Sequence, residues 1–114
     1  MQELIKKFVK AKKSATKARR ELSKAVLDST SGLSVEQVLI LESIELEAIT
    51  VSDIARRCAM HVPSVSRALV ELDGKGIFDR LANDDDMRRC MIGITAHGKK
   101  LLARVYEAHE AKKA

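Results

Sequence analysis

Small and apolar side chains recur at Leu4, Phe8, Ala11, Ala15, Ala18, Leu22 and Ala25, in alternating steps of four and three. That spacing is a heptad seam, and with no Gly or Pro inside it predicts one long helix. At about 1.5 Å per residue, roughly 25 residues make a rod close to 40 Å long. Such a rod exceeds what a small core can cover, and the alanines along its centre allow close approach by another helix. A symmetric contact with a second copy is therefore expected, through Leu4, Phe8, Ala11, Ala15, Ala18 and Leu22. A basic amphipathic targeting peptide or a solvated arm would carry a similar pattern.

Ser29-Thr30-Ser31-Gly32 breaks this helix, and Ser34 with Gln37 three positions on is a capping-box signature for the next. Leu33, Val38, Leu41 and Ile44 give that second helix its apolar side. A third, short helix follows Thr50 or Ser52, with Val51, Ile54, Ala55 and Cys58 on one face. After a turn at 59–61, Pro63 occupies a first-turn position and a fourth helix runs to about Asp73. Val62, Val65, Leu69 and Leu72 are expected to form its buried stripe. At about 100° per residue, the opposite face holds Pro63, Ser64, Arg67 and Glu71, with Ser66 on its flank. Gly74 and Gly76 supply left-handed residues that end the helix.

A hairpin follows. The segment 77–81 reads as one strand, and Cys90, Ile92 and Ile94 alternate on one face of its return partner. The tip between them, 82–89, is polar and carries both charge signs. Thr95 caps a last helix through Leu101, Leu102, Val105, Tyr106 and His109.

Charge sharpens this outline. Residues 1–33 carry nine basic side chains (Lys6, Lys7, Lys10, Lys12, Lys13, Lys17, Arg19, Arg20, Lys24) against three acidic ones. Residues 34–54 hold five acids and no base, and from residue 55 onward twelve bases face eight acids. The sum is +5 over 114 residues, which favours a polyanionic partner, although a solvated helix face would look alike. Aromatics are only Phe8, Phe78 and Tyr106, too few to stack successive bases of a single strand, so any nucleic acid bound should be double-stranded. No apolar run is long enough for a membrane span or a signal peptide, and a soluble, cytoplasmic protein is expected. Cys58 and Cys90 stand far apart without metal-ligand spacing. Both are read as reduced, interior thiols rather than as a disulfide or a redox sensor.

Two short helices across a tight turn, then a charged two-stranded hairpin, make a winged helix-turn-helix, mainly α with a small β wing. The helix beginning at Pro63 would enter the major groove, where short polar side chains and one Arg suit base edges, and the wing would reach the neighbouring narrow groove. The pieces Leu33-Ser34-x-x-Gln37-x-x-x-Leu41-x-x-Ile44, Ile54-Ala55, Ser64-Val65-Ser66-Arg67, Leu72-x-x-Lys75-Gly76-Ile77-x-x-Arg80, Asp86-x-Arg88 and Ile94-Thr95-x-x-Gly98 together resemble the MarR family of transcription regulators. The resemblance spans about 60% of the chain and is specific through the order of its parts. It implies a homodimer, a repressor on a palindromic operator, with Arg88 and Arg89 on a wing whose Asp86 orients Arg88. It also implies a division into a dimerisation helix (1–30), a DNA-binding unit (31–98) and a C-terminal dimerisation helix (99–114).

The chain stops at Ala114, short of the longer C-terminal region usual in the family, which leaves control by a small-molecule ligand open. Asp84-Asp85-Asp86 could bind a hard cation, but turns are Asp-rich for backbone reasons, and no Gly-rich phosphate loop or Cys/His set accompanies it. No metal, cofactor or catalytic function is expected. Of the scattered histidines only His61, beside the reading helix, has a plausible contact, to a phosphate. The competing reading is a winged helix serving as a protein-interaction module without specific DNA binding; affinity for random duplex DNA at low and moderate salt separates the two.

Overall fold

A computed structural model of the chain describes residues 1–81 and 90–113. Five helices and three short strands follow in the order α1 (Gln2–Asp28), α2 (Val35–Ser43), β1 (Ile49–Thr50), α3 (Val51–Cys58), α4 (Val62–Leu72), β2 (Phe78–Leu81), β3 (Met91–Ile94) and α5 (Ala96–Lys113). The strands form one antiparallel sheet in the order β1-β3-β2, with Ile49 opposite Ile92 and Phe78 opposite Ile94.

Local chemistry accounts for most boundaries. Ser34 Oγ accepts from the Gln37 amide at 3.1 Å while Gln37 Oε1 accepts from the Ser34 amide at 2.9 Å, so the expected capping box opens α2. Thr50 Oγ1 accepts from the Asp53 amide at 3.1 Å and opens α3. Gly74 and Gly76, at φ +78° and +71°, turn the chain from α4 into β2. Ala59 ends α3 in the same left-handed region at φ +53°, where a Cβ is disfavoured; its turn is closed by the Met60 amide on the Ala55 carbonyl at 2.9 Å.

The core gathers Val38, Ile40, Leu41 and Ile44 of α2, Ile54 of α3, Val65, Leu69 and Leu72 of α4, Ile92 of β3, and Leu102 and Val105 of α5. Three expectations are corrected. Val62, at the first position of α4, is 44% exposed, and the buried stripe is Val65, Ala68, Leu69 and Leu72 instead. Cys58 and Cys90 are half-buried rather than interior. Cys58 Sγ donates to the Leu39 carbonyl at 3.3 Å, and burial pushes its thiol pKa up, away from thiolate reactivity. The sequence pattern gives no sign of β1, a two-residue edge strand that pairs with β3 on the side away from β2.

α1 has the predicted length, and every side chain from Met1 to Glu21 is exposed, Leu4 at 65% and Phe8 at 67%. Only its last turns pack, with Leu22, Ala25 and Val26 against the body. Arg19 reaches across to Glu36 of α2 at 2.9 Å. That hydrogen bond, assisted by the backbone amide of Glu36 and by the nearby charge, holds the carboxyl below its ordinary value of 4.5. At the other end, Tyr106 of α5 donates to Glu45 Oε2 at 3.0 Å; burial and this carboxylate raise the phenol to about 12.

α5 starts from a clasp. Thr95 Oγ1 accepts from the Gly98 amide at 3.0 Å and donates towards the carbonyls of Gly76 at 2.6 Å and Ile77 at 2.9 Å. A Cβ on Gly98 would overlap the Ile77 carbonyl oxygen and come within 2.8 Å of Ile94 Cγ1. Gly98→Ala is therefore expected to cost about 1–3 kcal/mol, since backbone must shift to relieve the overlap. Urea unfolding followed by circular dichroism checks this, and an unchanged midpoint would contradict it.

Because the folded pKa of Glu36 is depressed, its stabilisation is complete above the ordinary carboxylate value and is lost as pH falls below 4.5 through the folded value. The stability difference between wild type and Arg19→Ala should accordingly shrink over that acid range. Paired urea titrations at neutral and acid pH read it directly, and a constant gap would show that Glu36 is not the titrating partner.

Candidate nucleic-acid interface

The outward face of α4 is built by its inward one. Val65, Ala68, Leu69 and Leu72 are buried against α2 and α3, and this anchoring turns Pro63, Ser64, Ser66, Arg67 and Glu71 to solvent, as expected. Pro63 sits in the first turn, where its missing N–H costs nothing, and the amides of Ser64 and Val65 bond to the His61 carbonyl at 3.0 and 3.1 Å. His61, at the N-cap, is exposed and makes no side-chain cap.

Arg67 makes no ion pair among the described residues. It lines a shallow groove of about 260 Å³ with Ser34, Glu36, Met60, Ser64, Ala68 and Glu71. The first turn of α2 thus lies directly beside α4, with the Ser34 and Gln37 amides taken up by the capping box and the Glu36 carboxylate held by Arg19. Glu71 is not wholly free: its Oε2 accepts from Gln37 Nε2 at 3.3 Å. The side chain that closes the capping box of α2 therefore also steadies the far end of the α4 face.

Sequence reasoning missed Met60, Ser34 and Glu36 as groove walls, because their approach to α4 depends on how two helices cross. It also missed Val70, which is 64% exposed on the outward side of α4, between Ser66 and Arg67 in helical angle. The wing residues Asp86, Arg88 and Arg89 lie outside the described residues. The base of the wing is described: Arg80 stacks 5.3 Å from the Phe78 ring centroid and pairs with Asp73 at 3.3 Å, tying β2 to the end of α4.

The dimerisation positions behave differently from one another. Leu4, Phe8, Ala11, Ala15 and Ala18 are exposed, whereas Leu22 is half-buried. Ala18, Leu22 and Ala25 join Val105, Tyr106 and His109 in an apolar groove of about 290 Å³ between α1 and α5. Among the described residues, no group of His, Cys, Asp or Glu gathers where it could hold a metal ion, and no helix is long and apolar enough to cross a membrane.

The fold of this chain is shared with solved structures of gene regulators. The transcriptional regulator BldR from Sulfolobus solfataricus superposes with a TM-score of 0.79 at 23% identity, over 97% of this chain and 81% of that one. MarR from E. coli gives 0.73 at 23% identity, over 82% and 68%. The multiple antibiotic-resistance repressor from Listeria monocytogenes gives 0.67 at 19% identity, over 98% and 76%. At these identities the likeness establishes the fold. No curated protein matches the sequence. Residues 31–89, which hold α2, α3, α4 and the strand into the wing, match the sequence pattern of the MarR family, and on that ground the chain belongs to the MarR family of winged-helix transcription regulators.

Proposed function

We propose that this regulator binds a palindromic operator in duplex DNA as a homodimer, in the cytoplasm, and represses transcription by occupying it. The observation that carries the reading is the solvent-facing edge of α4, where Ser64, Ser66 and Arg67, which makes no ion pair among the described residues, project from a helix whose other face is buried. A guanidinium in that place suits the O6 and N7 of guanine, short hydroxyls suit bases or phosphates, and the aliphatic Val70 suits a thymine methyl. An apolar α4 face would have favoured the protein-interaction reading; this one is predominantly polar.

A second copy is supported by the apolar groove at Ala18, Leu22 and Ala25 and by the exposed Leu4 and Phe8 further along the same seam. In this reading residues 1–30 and 99–114 build the dimer and 31–98 binds DNA. Repression follows the Listeria monocytogenes relative, which is a repressor. No catalytic step, cofactor or metal is assigned.

Selection of bound sequences from a random duplex pool tests the reading: a two-fold-related motif is expected, and recovery of no motif overturns it. A reporter placed behind that motif should fall in expression when the protein is supplied. Ala15→Glu, which puts a charge on the seam, should give monomers in sedimentation and weaken binding to the selected duplex far more than a surface change; a wild-type monomer at micromolar concentration would exclude the dimer. Arg67→Ala should cost about 1–3 kcal/mol and relax preference at one base position. Arg88→Ala, on the proposed wing, should weaken binding with a dependence on flanking A·T content and leave the core preference intact. Identical binding profiles for the two variants, across altered cores and flanks, would show that the wing is misassigned.

A further inference from the structure

The basic side chains of α1 are not scattered around the helix. Lys6, Lys10, Lys13, Lys17, Arg20 and Lys24 follow one another in steps of four and three, and each is exposed. At about 100° per residue they make a single ridge about 27 Å long, on the side opposite Leu22, Ala25 and Val26. Those three are the residues by which α1 packs on the body, and Arg19, which reaches α2, lies on their side too. The ridge thus points away from the rest of the chain and away from the apolar seam.

Its charge is barely compensated. Lys6 lies 4.0 Å from Glu3, but Lys10, Lys13, Lys17 and Arg20 make no ion pair among the described residues. Lys13, Lys17 and Arg20 also border a shallow groove along the helix with Val9, Lys12 and Thr16. An ordinary solvated helix face mixes both signs; here the acids Glu3, Glu21 and Asp28 lie towards the two ends of the ridge, and from Lys10 to Arg20 the helix carries no acid.

We propose that this ridge holds the phosphate backbone of a second DNA duplex, distinct from the one read by α4, so that one regulator bridges two duplex segments. The proposal goes beyond operator reading and needs neither its residues nor its sequence specificity. A duplex presents about one phosphate per 1.7 Å of axis, a polyanion matched to a straight row of cations. An anionic lipid surface suits the ridge less well, because interfacial helices insert apolar side chains beside their basic ones, and here the apolar side faces the body and the seam. Arg19, which lies off the ridge, is the α1 side chain that pairs with Glu36 in the wall of the α4 groove.

The experiment immobilises the selected duplex, loads the protein, and adds a labelled duplex of unrelated sequence. Wild type should capture the label, with capture falling steeply as salt rises. The combined variant Lys10→Gln, Lys13→Gln, Lys17→Gln and Arg20→Gln changes only exposed positions to a good helix former, and circular dichroism checks that its helix content is kept. It should load the immobilised duplex within about twofold of wild type, capture about tenfold less label or weaker still, and lose about 0.9 of salt slope per charge removed. Arg67→Ala separates this inference from the operator reading. It should retain binding of the labelled duplex in solution, and adding the four glutamines to it should abolish that binding, whatever becomes of sequence-specific loading. Wild type that loads but captures no label, a ridge variant that captures as well as wild type, or binding to phosphatidylserine vesicles in place of the second duplex would each overturn the proposal.

Discussion

The approach of α5 to the start of β2, close enough that only a glycine fits at position 98, sets the relation between the two ends of this molecule. Thr95 spends its hydroxyl on the Gly98 amide and on the carbonyls of Gly76 and Ile77, and its own amide reaches the Ile77 carbonyl at 3.1 Å. Those contacts join the turn after α4, the root of the hairpin and the first turn of α5 at one point. A tilt of α4 would move that turn, and with it the start of α5. Whatever orients α5 in an assembled regulator is therefore felt at α4.

The acidic middle of the chain has an internal use. Glu36 holds Arg19, Glu45 accepts from Tyr106, Glu47 pairs with Arg57 at 3.1 Å, and Asp53 with Arg56 at 3.0 Å. Arg57 also donates to the Ser43 carbonyl at 3.1 Å, covering the end of α2. Each of these exposed pairs is worth little singly. Together they consume acids on scaffold contacts, while Lys10, Lys13, Lys17, Arg20 and Arg67 are among the described cations that make no ion pair. The charge asymmetry of the sequence thus becomes a spatial separation of tied and free charge.

Much of this was legible because it is local. Ser34 and Gln37, Thr50, Thr95 and the two glycines after α4 act over three or four residues, and a linear pattern records them. The heptad spacing of α1 was equally plain. What escaped depends on contacts across the fold. Ile49 and Thr50 are too few to show alternation, and become a strand only because Ile92 and Met91 lie opposite. Val62 shares the spacing of a buried stripe, yet at the start of a helix spacing does not say whether a neighbour is there to cover it. The bonds from Gln37 to Glu71 and from Arg19 to Glu36 join residues 34 and 17 positions apart, and no periodicity reports them.

The bare outer length of α1 links folding to abundance. An isolated helix of that size is marginal in water, since nucleation is costly and propagation gains little without tertiary cover. From Met1 to Lys17 every side chain is exposed. In the proposed dimer the second copy supplies cover, so the helical state of the arm and the paired state of the protein become one equilibrium governed by mass action. In that proposed dimer, low copy number would favour the unwound arm and separate the two α4 helices, and higher copy number would form arm and pair together. A regulator built in this way answers to its own concentration more steeply than one-to-one binding would allow.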